Sequence, residues 1–173
     1  MATVDDFKSK LIGGGARANL FKATITFPAY AAGNSELAQF MCKAAQLPGS
    51  TIGQIDIPFR GRQLKIAGDR VFENWTVTII NDTGMEVRDA FERWSNGINE
   101  HVSNGGLTNP ADYMTDMGVE QLDKAGATTK TYEIRGAYPV NISPIDVSND
   151  SADTIEEFTV EFAYQYWESN TTS

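Results

Sequence analysis

Few residues in this chain are of a kind that could make or break a covalent bond. One of its 173 residues is a cysteine, Cys42, and one is a histidine, His101. A thiol and an imidazole could form a nucleophilic pair in which the ring nitrogen takes the thiol proton. Cys42, however, follows Phe40 and Met41 and precedes Ala44 and Ala45, the setting of a buried, inert thiol. A lone cysteine closes no internal disulfide, and one thiolate with one imidazole completes no Cys/His zinc set. Asp112 with Asp116, or Glu156 with Glu157, could serve acid/base chemistry if they converged in a cleft. They fall in a stretch, residues 71–173, that holds eighteen acids and five bases, where they read as surface charge. Asp146, Ser148 and Asp150 begin like an oxygen-ligand calcium loop, but the turn glycine and closing glutamate are absent from their places. Gly13-Gly14-Gly15-Ala16-Arg17-Ala18 has dinucleotide-loop spacing, which needs a strand before it and a helix after it. Here a polar arm precedes and a strand pattern follows. The phosphate-loop, nucleophile-elbow and HExxH zinc motifs do not occur. No catalytic residue, metal or cofactor is expected.

Charge narrows the partners. Lys and Arg total 14 against 23 Asp and Glu, a formal charge of −9. Residues 1–70 are net +4 and residues 71–173 net −13, with no base in the last 23 residues. Such a chain gains nothing from the counterion release that drives nucleic-acid binding, so a tight DNA or RNA binder is disfavoured. Hydrophobic residues make up 41% and aromatics 10%, enough for the core of one domain that buries roughly 70% of its unfolded surface. The start of the chain carries Asp5 and Asp6 and no apolar run of signal-peptide length, and no stretch has 18 consecutive apolar residues. A soluble protein of a reducing compartment is the expectation.

The elements that position these residues follow from periodicity. Residues 1–18, polar and with Gly13, Gly14 and Gly15 in a row, read as an arm outside the core, either frayed or docked on a neighbour. Leu20, Lys22, Thr24 and Thr26 alternate with Phe21, Ala23, Ile25 and Phe27, a strand stopped by Pro28. Residues 35–47 predict a short helical turn with Ser35 as N-cap, then a strand. Over 51–71, Ile55, Ile57 and Phe59, a turn at Arg60-Gly61, then Leu64 and Ile66 read as a hairpin bearing Arg60, Arg62, Lys65 and Arg70. A two-stranded ribbon is marginal in water, so its apolar row needs a partner. Trp75–Ile80 follows as a strand. Thr83-Gly84-Met85-Glu86 reads as a capping box, and Val87, Ala90, Phe91 and Trp94 share one face of a helix over about 83–96, ended by Asn96-Gly97. Burying Val87, Phe91 and Trp94 contributes about 1.5–3 kcal/mol each.

Residues 99–117 lack a sustained period and read as a long loop. Strand patterns resume at 119–122, 131–140, 145–147 and 158–166. The sum is a mainly β fold, a β-sandwich or small barrel with one flanking α-helix, over 19–168, with a tail at 169–173. Residues alone reach a structural or interaction module.

Three blocks resemble the tail tube proteins of contractile-tailed, T4-like bacteriophages: VDDFKSKLIGGGARANLFKATITFP at the start, LPGSTIGQIDIPFRGRQLKIAGDRVFENWTVTIINDTGMEVRDAFERWSNGIN in the centre and YPVNISPIDVSNDSADTIEEFTVEFAYQYW at the end. The resemblance implies a β-sandwich similar to the hexameric ring protein of type VI secretion. It implies hexameric rings stacked into a hollow inner tube of the virion, assembled in the host cytoplasm, through which DNA passes without specific binding. Partners would be further copies of the chain, the tail sheath, the tape measure protein, the baseplate and the tail terminator. It suggests that Ile55, Ile57, Phe59, Leu64 and Ile66 make apolar contact with an adjacent ring while Arg60, Arg62 and Lys65 meet its acids. The oppositely charged halves would then help to set head-to-tail stacking, and an acidic lumen would repel phosphate. Two alternatives stand beside this: the ring subunit of a non-phage contractile injection system, and a ligand- or carbohydrate-binding sandwich using Trp75, Trp94 or, on the exposed parity, Trp167.

Overall fold

The computed structural model describes residues 3–172; Met1, Ala2 and Ser173, assigned above to the arm and tail, lie outside the described residues. In chain order the elements are α1 (Val4–Lys10), β1 (Phe21–Thr24), α2 (Ser35–Met41), β2 (Cys42–Ala45), β3 (Thr51–Phe59), β4 (Arg62–Val71), β5 (Trp75–Ile80), α3 (Glu86–Ile98), α4 (Pro110–Tyr113), β6 (Thr115–Leu122), β7 (Thr128–Ile142), β8 (Glu157–Ala163) and β9 (Tyr166–Ser169). The fold is strand-rich, built of antiparallel sheets with helices packed on them.

β7 is the spine. β8 and β9 run antiparallel along it, from Ile142 opposite Val160 to Tyr132 opposite Ser169, with the register shifting by one residue between Pro139 and Asn141. The ribbon bends at Gly136, whose φ of +63° is open to glycine, and a Cβ there would stand 2.9 Å from Gln165 Cγ. β6 and β1 extend the sheet from one edge, β5 and β2 from the other, giving the order β1-β6-β7-β8-β5-β2 with β9 on β7. Alternation then decides burial. Trp75, Val77 and Ile79 of β5 and Phe158, Val160 and Phe162 of β8 all face one core, which Val87, Ala90, Phe91 and Trp94 of α3 close. Phe91 is its centre, with ring centroids 5.0 Å from Phe27, 5.8 Å from Phe162 and 6.2 Å from both Phe158 and Trp94.

Several local expectations are corrected. The 83–86 capping box does not form. Met85 N donates to Asp82 O, which places Thr83 inside a turn, and Met85 itself precedes the helix in the left-handed region with no side-chain cap. α3 continues through Gly97 to Ile98 because Tyr30 packs against Gly97, its hydroxyl donating to Trp94 O at 3.0 Å. The N-cap of α2 is Asn34, whose Oδ1 accepts from Leu37 N, rather than Ser35. The 99–117 loop is interrupted by α4, held by the Trp94 indole donating to Tyr113 O at 2.8 Å, and β6 begins at Thr115. Residues 145–147 form no strand; they belong to the 143–156 connection that begins at Ser143 and Pro144. The last strand breaks at Tyr164–Gln165, opposite the Gly136 bend. Within the arm, Val4–Lys10 is helical, with Thr3 and Asp6 capping each other, and it buries none of its residues.

Because Phe91 contacts both sheet and helix aromatics, Phe91→Ala should lower unfolding free energy by about 3–5 kcal/mol. Denaturant unfolding followed by tryptophan fluorescence measures this.

Candidate assembly surface

β3 and β4 form a two-stranded sheet of their own, pairing with no other strand among the described residues. Their register places Ile55 opposite Ile66, Ile57 opposite Leu64 and Phe59 opposite Arg62. Directly opposed residues project to the same side, so these six residues share one face. Lys65 lies opposite Asp56 on the other face, apart from the apolar row. Arg60 and Gly61 make the two-residue turn with φ of +47° and +80°, the double positive φ of a tight primed hairpin. The Arg60 guanidinium stands 5.3 Å from the Phe59 ring centroid. Ile55, Ile57, Phe59, Leu64 and Ile66 are 42–66% exposed. A contiguous apolar row this bare is a candidate interaction surface.

The roots of the hairpin are clamped by the very tryptophans that a ligand-stacking reading would use. The Trp75 indole, fully buried, donates to Gln46 O at 2.6 Å, and the Trp167 indole donates to Gly49 O at 3.1 Å. Both acceptors lie in the segment leading into β3. On the β4 side, Phe72 packs against Tyr164 and Trp167 at 6.1 and 6.3 Å. Trp167 is therefore half-buried, not an exposed platform, because the break at 164–165 turns it onto Tyr132 and Phe72. Trp94 is fully buried in the core.

The residues singled out for chemistry are dispersed or occupied. Cys42 is half-buried on β2, and burial pushes its thiol up to about 11, so it stays protonated at neutral pH. His101 is exposed in the loop after α3. Asp116 accepts from Arg135 at 2.9 Å, while Asp112 lies exposed on α4. Glu157 pairs with Lys43 at 2.6 Å and Glu156 accepts from Asn81 Nδ2 at 3.3 Å. Ser148 Oγ accepts from Asp150 N, so that loop bonds to itself. Among the described residues no group of three or more His, Cys, Asp or Glu side chains is placed to hold a metal, and no helix is long and apolar enough to cross a membrane. Gly13–Gly15 follow α1, not a strand.

Sequence reasoning missed two features. Arg135 gathers Asp116, Glu133 and Glu168 around one guanidinium, tying β6 and β9 to β7. Only pairing registers reveal this. The exposed apolar row Val4, Phe7 and Leu11 of the arm was legible, as helical spacing behind a Thr3-x-x-Asp6 cap.

A family profile described as phage tail tube protein matches residues 16–170. The chain is 32% identical over 169 residues to the tail tube protein of Serratia phage KSP90, covering 95% of each. It is 35% identical over 157 residues to the tail tube protein gp19 of Enterobacteria phage T4, covering 88% of this chain and 91% of that one. Its fold is similar, with a TM-score of 0.63 and 11% identity over 98% and 99% of the two chains, to one in the sheath-tube complex of the extracellular contractile injection system PVC in its extended state. With this likeness along nearly its whole length, the chain belongs to the phage tail tube protein family, a family of structural, not enzymatic, components of the phage tail.

Proposed function

We propose that six copies of this chain close into a ring, that rings stack into the hollow inner tube of a contractile tail, and that each hairpin reaches the adjacent ring. The observation that carries this reading is the β3–β4 ribbon, whose five apolar side chains are 42–66% exposed and whose strands pair with no other strand among the described residues. Covering what each of them exposes contributes on the order of 1 kcal/mol per side chain, repeated at every ring position. Ile55, Ile57, Phe59, Leu64 and Ile66 provide this contact. Arg60, Arg62 and Lys65 meet acids of the neighbour and fix its orientation.

The tube runs inside the sheath, encloses the tape measure protein and then passes DNA. It starts on the baseplate and ends at the tail terminator. The net charge of −13 over residues 71–173 supports an acidic lumen wall that repels phosphate and lets DNA slide. Assembly takes place in the bacterial host cytoplasm. The non-phage injection-system reading shares the fold, but the 32–35% identical relatives are phage proteins, which favours DNA as cargo.

Arg60→Glu combined with Arg62→Glu should leave the subunit folded and abolish tubes in negative-stain micrographs of protein supplied with tail baseplates. Tubes at the wild-type frequency would refute the hairpin contact. Trp167→Phe keeps an aromatic ring but removes the bond to Gly49 O. It should cost about 0.5–1.5 kcal/mol in thermal unfolding and reduce tube yield beyond that loss, as sedimentation of assembled material would show.

A further inference from the structure

A recess lies at the Ile80 end of β5, opposite the Trp75 end at which the hairpin is rooted. There Asn81 is nine-tenths buried, its N donates to Glu156 O at 2.9 Å and its Nδ2 to Glu156 Oε2 at 3.3 Å. Its Oδ1 and the Oδ1 of Asp82 are both buried and accept from no donor among the described residues. Such orphan acceptors are rare in native folds. Asn81 and Asp82 line this open recess of about 290 Å³ together with Thr83, Met85 and Glu156. Its two ionisable lining residues, Asp82 and Glu156, are both acids and no base lines it, which favours a cationic donor as occupant.

The surroundings identify that donor. Glu156 also lines the adjoining cleft, about 320 Å³, of the 143–157 segment, which holds five acids and no base. Val147 and Ile155 stand 77% and 71% exposed in it. The nearby bases are engaged: Lys43 with Glu157, Arg88 with Glu92 and Ser143 O. This surface is acidic and apolar. The outer part of the hairpin, residues 57–66, is basic and apolar, with Arg60, Arg62 and Lys65 and no acid.

We infer that the recess formed by Asn81, Asp82 and Glu156 receives the Arg60–Arg62 turn of a second copy, with Val147 and Ile155 covering part of its apolar row. A guanidinium fork satisfies two acceptors at once. Donor and receptor lie at opposite ends of β5, so the contact is heterologous and each copy that receives a hairpin presents its own; contacts of this kind propagate with one polarity. The inference rests on the stacking reading above and assigns it a partner surface.

Charge exchange tests it. Asp82→Lys with Glu156→Lys should lower tube yield on baseplates at least tenfold, and mixing these subunits with Arg60→Glu, Arg62→Glu subunits should restore co-assembly. A second readout does not depend on reversed charge. In a Cys42→Ala background, Arg62→Cys subunits mixed with Thr83→Cys subunits should form a disulfide-linked pair on oxidation in assembled tubes, and neither should form one alone. If the receptor variants assemble like wild type while the hairpin variants do not, the stacking reading stands and this receptor is wrong. If the hairpin variants also assemble, both fall. Loss of assembly on chelation, without rescue by charge exchange, would assign the recess to a metal ion and overturn the inference.

Discussion

The uncovered apolar row of a two-stranded ribbon is the constraint on which the rest of the molecule turns. Strands of nine and ten residues that, among the described residues, pair with each other and no other strand gain backbone hydrogen bonds but little burial, and such a ribbon is marginal in water. The chain nevertheless commits Ile55, Ile57, Phe59, Leu64 and Ile66 to it, all on one face. The same residues would be a liability in a monomer, where a bare sheet invites aggregation. In the stacking we propose they are the means of assembly.

Everything at the root of the hairpin makes it stiff enough to serve. Two indole N–H groups hold the peptide entering β3, and Phe72 packs into the aromatic cluster on leaving β4. The two indoles belong to β5 and β9, and both Trp75 and Trp167 pack with the core that α3 closes. The hairpin they anchor is roughly 30 Å long, the span of a nine-residue strand. The bend at Gly136 lets one strand, β7, pair with both β8 and β9 and so join both halves of the sheet.

The strand-rich class, the hairpin with its turn, β5 and the buried face of α3 were legible in the sequence, because each is a local period punctuated by local turn chemistry. Elements set by distant contacts were not. The 164–165 break answers a bend in another strand, and it reversed the orientation expected for Trp167. The start of α3 is fixed by a turn at Asp82, not by the Thr83 side chain that a capping pattern points to. Pro144 reads as a break, yet nothing local shows that residues 145–147 stay unpaired. Candidate contact residues could be listed by type from the alternation alone. That Lys65 faces away from the apolar row while Arg62 shares it with Phe59 follows only from the register.

A helical reconstruction of tubes assembled from the intact protein tests the central claim most directly, through the burial of the hairpin face in the assembly. The account predicts that Ile55, Ile57, Phe59, Leu64 and Ile66, 42–66% exposed in the subunit, become buried against a neighbouring copy. A tube in which those side chains still face solvent, or fold back onto their own subunit, would contradict it.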